Sequence, residues 1–256
     1  MPKREREPFG LFVGDMHVGS HFGVAPEREC RNTEMGSLLT RWQQFTARAL
    51  AEMQGKATVL FLGGDLVDGI HHNSRTIWGT YKDQRDAAIE LLRPLANRAN
   101  AVYALTGTEV HAGAEGEDDK QVAQELGAKT ALHVWRIHLG GRNLFWSHHG
   151  TSVPRDITNE DGGLWTDGKR HYELSLRGRV KPDLVVHHHN HFSPDPITRH
   201  GITVAVCPCW QGANMYGAKI GPERTPDIGA LAWWPITNRV ERWLYNEVET
   251  YAEVKV

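Results

Sequence analysis

Apolar positions in the first half of the chain alternate between short solid runs and longer stretches of helical period. Phe9–Val13, Thr58–Leu62 and Ala101–Leu105 are runs of strand length, and each stops at a glycine turn: GDMHVG, GGDLVDG and GTEVHAG. Between the first two, Glu34 to Gln54 places Leu38, Leu39, Trp42, Phe45, Ala49, Leu50 and Met53 on one face, which predicts a core-packed helix. Between the second and third, Asp83 to Arg98 predicts another helix, with Ile89, Leu92 and Leu95 turned inward and Pro94 bending it. Strands alternating with helices are the pattern of βαβ units, a sheet with helices on its faces.

The second half predicts mainly strand. Leu132–Leu139 and Arg142–Ser147 flank a Gly140-Gly141 turn and read as a hairpin. A polar stretch from Thr151 to Arg179 carries a weak helical signal, after which Pro182–Val186 runs straight into HHHNH. Further strands are expected at Ile202–Val206, Ala230–Ile236 and Val240–Tyr245. No linker, charge run or internal repeat marks a boundary. The expectation is therefore one α/β domain over residues 1–256, two mixed sheets sandwiched between helices, with the strands after about residue 200 completing the sheet.

Composition adds one unusual quantity. Against 29 Lys plus Arg and 31 Asp plus Glu, the chain has 15 His. A formal charge of -2 excludes a protein that coats nucleic acid by charge alone. A hydrophobic share of 40% with 9 Trp excludes a disordered chain, and no apolar run approaches membrane-spanning length. The opening MPKREREPFG leads into no apolar core of a secretory signal, and 3 Cys make no disulfide framework, so a cytoplasmic protein with buried thiols at Cys207 and Cys209 is expected.

The histidines gather with acids where predicted strands end: Asp15 and His17; Asp65 with Asp68; Glu109 near His111; His148 and His149; His189 and His191. Loops at the carboxyl ends of strands converge at the sheet edge, where ligands of α/β proteins bind. Carboxylate together with imidazole suits Mn, Fe or Zn. Two neighbouring cations need a bridging carboxylate, and Asp65 is the central candidate.

These residues, in this order, resemble the motifs of the calcineurin-like metallophosphoesterases: Asp15-Met16-His17 with Gly19, Gly64-Asp65-Leu66-Val67-Asp68, the glycine turn at Gly107, His149-Gly150, and His189-Asn190-His191. The resemblance spans about residues 9 to 192, and the GTEVHAG form is similar to a subgroup associated with phage and prophage genes. It implies a four-layer αββα fold and two divalent ions, Mn first, with Fe, Zn or Mg as alternatives. It further implies a first metal on Asp15, His17, Asp65 and His191, and a second sharing Asp65 and taking His149 and His189. The implied reaction is hydrolysis of a phosphoester by a metal-bridging hydroxide attacking phosphorus in line.

Two departures from the family pattern bear on the site. Thr108 stands where the family has a metal-binding Asn; Glu109, one residue on, is the candidate replacement ligand, which leaves His111 as proton donor to the leaving oxygen. His188 stands where the family has Gly, narrowing the site or reaching substrate, and leaves His187 with His189 as an alternative register to His189 with His191. Asp68 is expected to orient its loop by hydrogen bonds. His71 and His72 read equally as an exposed loop or as substrate-facing, while His21, His133, His138, His171 and His200 read as surface or core. The basic residues Lys169, Arg170, Arg177, Arg179 and Lys181 read first as a solvated face and second as a phosphate-contacting lip; Trp146, Trp165 and Trp210 read first as core and second as base-stacking surfaces. The D-x-H-x-G form of the first motif is similar to that of the family's nuclease branch, so the expected partner is a phosphodiester, nucleic acid or nucleotide, with no membrane and the oligomeric state open. A phosphomonoesterase acting on protein or a small metabolite, and a metal-stabilised binding or scaffold protein without turnover, are the alternatives.

Overall fold

A computed structural model describes residues 6–70, 76–78, 80–131, 133–150, 161–213 and 225–246. The three apolar runs of the first half are strands to within a residue: β1 (Pro8–Val13), β2 (Ala57–Leu62) and β3 (Ala101–Leu105), all parallel. Helix α1 (Thr33–Glu52) starts at Asn32, whose side chain accepts the Met35 amide at 2.8 Å, and α2 (Tyr81–Arg98) starts at Thr80, which caps Asp83 in the same way. The inward face of α2 differs from the expectation. It is built from Gln84, Ala87, Ala88, Leu91, Leu92, Leu95 and Ala96, with Ile89 only half-buried, and the helix continues through Pro94, which lies on its exposed side.

After β3 follow α3 (Glu109–Ala112), α4 (Glu117–Glu125) and a short β4 (Lys129–Ala131). The hairpin is β5 (Val134–Leu139) and β6 (Arg142–Ser147), with Leu139 opposite Arg142 across the Gly140-Gly141 turn. The polar stretch holds α5 (Gly162–Leu176), while its residues 151–160 lie outside the described set. Then come β7 (Leu184–His187), β8 (Ile197–Arg199), β9 (Ile202–Val206), β10 (Gly229–Trp234) and β11 (Arg239–Leu244). The short β4 and β8 and the helix α4 carry no sequence signal of their own; α4 buries Asp118 and Asp119 beside Val122 and Ala123, so its inner face is half polar.

Two mixed sheets result, ordered β11-β10-β1-β2-β3-β4 and β5-β6-β7-β9-β8. Strand alternation then divides the core into three. Phe9, Leu11, Val13, Leu60, Leu62, Ala230, Ala232 and Trp234 face α1, α2 and α4. Phe12, Phe61, Leu231 and Trp233 face the other way, onto Leu144, Trp146, Leu184, Val186, Ala205 and Cys207 of the second sheet. The outer side of that sheet, Val185, Ile202, Val204 and Val206, is covered by Leu164 of α5. The layers are thus helices, sheet, sheet, helix, the αββα arrangement expected. Among the described residues no helix is long and apolar enough to cross a membrane.

Between the sheets Phe12 stacks on Phe61 with ring centres 4.4 Å apart, and Trp146 meets both edge-on at 6.0 and 5.2 Å. Trp146 and Trp210 are fully buried, which removes them as base-stacking surfaces; Trp165 is 42% exposed. Trp146→Ala opens a cavity between the sheets and is expected to destabilise the fold by about 3–5 kcal/mol, read from denaturant unfolding.

Candidate metal centre

The carboxyl ends of β1 and β2 do not splay into separate loops. Gly63 N donates to Val13 O, Asp15 N to Gly64 O, His17 N to Asp65 O and Val18 N to Leu66 O, at 2.7–3.1 Å, so the two turns run on side by side beyond the sheet. This zipped pair brings Asp15, His17 and Asp65 together. From the second sheet, β6 delivers His148 and His149 and β7 delivers His189 and His191, with His188 N donating to His148 O at 3.0 Å.

Asp15, His17, Asp65, His189 and His191 all sit at positive φ, between 46° and 72°. Each such non-glycine residue costs on the order of 1–3 kcal/mol and persists only where its surroundings dictate it. Here the geometry serves to turn side chains inward. His17 Nε2 and His191 Nε2 stand 3.2 Å apart, and His191 Nε2 is 3.8 Å from Asp15 Oδ1. On the other side His148 Nε2 is 3.1 Å from Asp65 Oδ2 and His189 Nδ1 is 3.9 Å from the same oxygen. Ligand atoms converge within 4.8 Å in four overlapping groups: Asp15, His17 and His191; His17, Asp65 and His111; Asp15, Asp65 and His148; and His148, His149 and His189. Asp65 belongs to two of these groups and touches His189 of a third.

Electrostatics fits such a donor set to cations. Asp15 and Asp65 are 0% and 1% exposed, and their ion-pair partners among the described residues are histidines. Burial opposes ionisation of Asp15, but His188, His148 and His191 outweigh it and hold the carboxyl below the usual range. Asp65 is held well below it in the same way, with His148, His189 and His17 outweighing burial. The reciprocal shifts follow: burial lowers His148, but Asp65 and Asp15 overcome that and raise it to about 9, while burial and then His17 push His191 down to about 4. Two buried carboxylates whose charged partners among the described residues are imidazoles are a place where a divalent ion replaces protons as the source of positive charge. The separation of the two Nε2 atoms is also that of two ligands on one ion, about 3 Å.

Surrounding groups hold the ligands. Asp68 Oδ1 lies 3.3 Å from His17 Nδ1, which leaves Nε2 for the cluster, and the Asp68 carbonyl takes His111 Nδ1 at 2.8 Å. Burial and then His17 push the His111 imidazole down; its ring stands edge-on to His17 at 4.4 Å. Thr108 donates from both N and Oγ1 to Asp65 Oδ1, at 2.7 and 3.0 Å. Glu109 is not brought to the cluster: it opens α3, is exposed, and lies on the wall of a cavity of about 370 Å³ with Thr108, Val110, Glu115, His133, His148 and His149. None of the four groups of converging ligand atoms among the described residues includes Glu109, which shares the wall of this cavity with His148 and His149.

The second sheet places His189 and His191 in the cluster and turns His187 to the opposite side, toward Asp167. His188 is fully buried between the two sheets, its Nδ1 3.4 Å from Asp15 Oδ2. Its ring needs glycine at both neighbouring strand ends: a Cβ on Gly14 would lie 2.6 Å from Nδ1, and one on Gly63 2.0 Å from Cε1. His71 and His72 lie outside the described residues. Lys169 pairs along α5 with the exposed Glu173, and Arg170, itself exposed, reaches the buried Asp167.

The sequence named both members of the His148-His149 doublet without separating their roles, and it missed Asp119. His148, rather than His149, is the buried imidazole against Asp65; in a doublet of histidines only the twist of the chain after β6 decides which turns inward. Asp119, on α4, accepts the amides of Asp65, Leu66 and Gly107 at 2.9, 3.0 and 2.8 Å, clamping the turns after β2 and β3 together. Burial and the nearby Asp65 carboxylate push Asp119 up to about 7 despite those donors. Nothing in the local sequence EDDK marks it.

No protein-family model matches the chain, and no curated protein is matched. Among solved structures it is similar to an archaeal phosphodiesterase at 9% identity and a TM-score of 0.47, covering 93% of this chain and 99% of that one. It is also similar to a single mutant of Vps29 from Entamoeba histolytica at 15% identity and a TM-score of 0.45, with 93% and 99% covered. Vps29 from Chaetomium thermophilum is similar at 8% identity and a TM-score of 0.45, with 93% and 94% covered. All are distant likenesses.

Asp119→Asn replaces an acceptor oxygen with an amide donor facing backbone N–H groups, and is expected to lose about 1–3 kcal/mol of stability in denaturant unfolding. Glu109→Ala is expected to leave the metal content of the purified protein unchanged, measured by elemental analysis.

Proposed function

We propose that this chain is a metal-dependent phosphoester hydrolase of the calcineurin-like type, with two divalent ions held on either side of Asp65. The observation that carries this reading is the pair of buried carboxylates, Asp15 and Asp65, with imidazoles as their ion-pair partners and ligand atoms converging around them. Asp15, His17 and His191 would hold one ion, and His148, His149 and His189 the other. Divalent ions bound there lower the pKa of coordinated water and neutralise charge on a phosphoryl group. Manganese is the first expectation for a mixed carboxylate and imidazole set, ahead of iron and zinc.

The chain's own residues position and move protons around that centre. Asp68 keeps His17 turned inward, and Thr108 donates to the Asp65 carboxylate, chiefly to Oδ1, while Oδ2 faces the histidines. His111, partly open to solvent at the rim, is assigned the proton delivered to the leaving oxygen. A phosphodiester, nucleic acid or nucleotide, is the favoured substrate on the similarity of the first motif to the nuclease branch. The third motif supports one second reading: with Thr108 in place of Asn and Glu109 outside the groups of converging ligand atoms, the chain would hold metal as a binding or scaffold protein without turnover.

Metal content per chain, together with hydrolysis of chromogenic phosphate diesters and monoesters, separates these readings. Two ions with diester cleavage is the expected outcome; monoester preference would redirect the substrate, and bound metal with no turnover of either ester would favour the scaffold. Asp65→Asn is expected to lower hydrolysis at least about a hundredfold, and unchanged turnover would exclude the two-metal mechanism. Asp68→Ala, which removes a carboxylate partner of His17 and of His111, is expected to weaken metal binding by about 10–100-fold in a titration with manganese.

A further inference from the structure

A second chain of buried polar side chains lies on the far side of the second sheet, outside the centre described above. It starts on α5 at Asp167, whose Oδ2 is 2.7 Å from His187 Nε2, and passes through the ring to Ser147 Oγ, 2.9 Å from His187 Nδ1. It ends where Ser147 Oγ donates to the carbonyl of His149 at 2.6 Å. Asp167, His187 and Ser147 are 4%, 0% and 6% exposed. Arg170 pairs with Asp167 from the solvent side, and His171 Nε2 is 3.8 Å away. Gly150 rests directly on the imidazole, since a Cβ there would fall 2.0 Å from His187 Cε1.

Serine, histidine and aspartate hydrogen-bonded in series invite a nucleophile reading, and the geometry opposes it. Ser147 Oγ is buried, its proton is engaged by the His149 carbonyl, and Ser147 does not line the cavity beside the cluster. What the chain does reach is the backbone of His149 in the metal centre, next to His148, whose carbonyl is held separately by the His188 amide. His148 O accepts from His188 N at 3.0 Å and His149 O accepts from Ser147 Oγ, so both carbonyls are pinned. Fixing both peptide planes fixes the directions in which the two imidazoles leave the chain. Without the second restraint His149, the more exposed of the pair, is free to turn away from His148 and His189.

We infer that Asp167, His187 and Ser147 are positioning residues for His149, tying helix α5 on the outside of the second sheet to the metal centre at its edge. The inference rests on the metal-centre reading. It assigns His187 a task distinct from that of His189 and His191, although all belong to one run of sequence.

The test is a titration of the purified, metal-stripped full chain with manganese, following stoichiometry and affinity by calorimetry, with melting temperature measured in parallel. Ser147→Ala is expected to fold and to weaken one of two sites by about tenfold or more while sparing the other. Ser147→Thr, which keeps the hydroxyl, is expected to bind as the wild type does. Asp167→Ala, acting from the far end of the chain, is expected to weaken the same site as Ser147→Ala. Because Asp167→Ala also exposes a buried ring to an empty position, Ser147→Ala and Ser147→Thr decide the matter if it does not fold. Two sites of wild-type affinity in folded Ser147→Ala would overturn the inference alone, as would a lowered melting temperature with unchanged binding. A wild-type chain that takes up no manganese and no zinc would overturn both the inference and the metal-centre reading beneath it.

Discussion

Two carboxylates, Asp15 and Asp65, are buried at the ends of adjacent parallel strands with histidines as their ion-pair partners among the described residues. An ionised carboxylate taken out of water is among the most expensive groups a fold can bury, unless charge and hydrogen bonds compensate it. Much of the surrounding architecture supplies that compensation. The amide of His189 donates to both oxygens of Asp15, and Thr108 donates twice to Asp65, while imidazoles from both sheets close around them. Groups from both sheets take part, His17 and Thr108 from the first and His148, His188, His189 and His191 from the second.

The cluster depends in turn on a backbone that few side chains tolerate. Five of the converging residues occupy the left-handed region; the ladder of hydrogen bonds that continues β1 and β2 past their ends holds Asp15, His17 and Asp65 there, and the amide of His189 is held by the Asp15 carboxylate. Asp119 reinforces that ladder from below by accepting three amides from two turns. His188 reinforces it from the side, filling the slot left by Gly14 and Gly63 and abutting Asp15. The turns that carry the cluster therefore sit in a scaffold adapted to the buried ring of His188.

The inner layers are tied to the outer ones through polar as well as apolar contacts. Leu164 covers the outer face of the second sheet, and beside it Asp167 sends a hydrogen-bonded chain through the sheet to the loop after β6. Such a connection couples α5, whose N-terminal side follows the residues after His149, to the orientation of that histidine.

The amino-acid sequence by itself determined the strands that end in glycine turns, the helices between them and the positions of the acids and histidines, because apolar period and turn chemistry are local properties. Phe9–Val13, Thr58–Leu62 and Ala101–Leu105 could be placed to within a residue, since buried parallel strands are continuous apolar runs. The separation of His187 from His189 and His191 was a choice between registers, and the twist of the chain beyond β7 makes it, sending one ring outward to Asp167 and the others to the cluster. The same is true of the histidine doublet, where both rings join the cluster but only His148 is buried against Asp65. Asp119 and Ser147 were invisible because their partners lie across turns and sheets, where no spacing in the sequence records them. Which residue types the site would use followed from local pattern; which of them face one another depended on backbone direction and contacts between distant segments, and only the tertiary structure decides those.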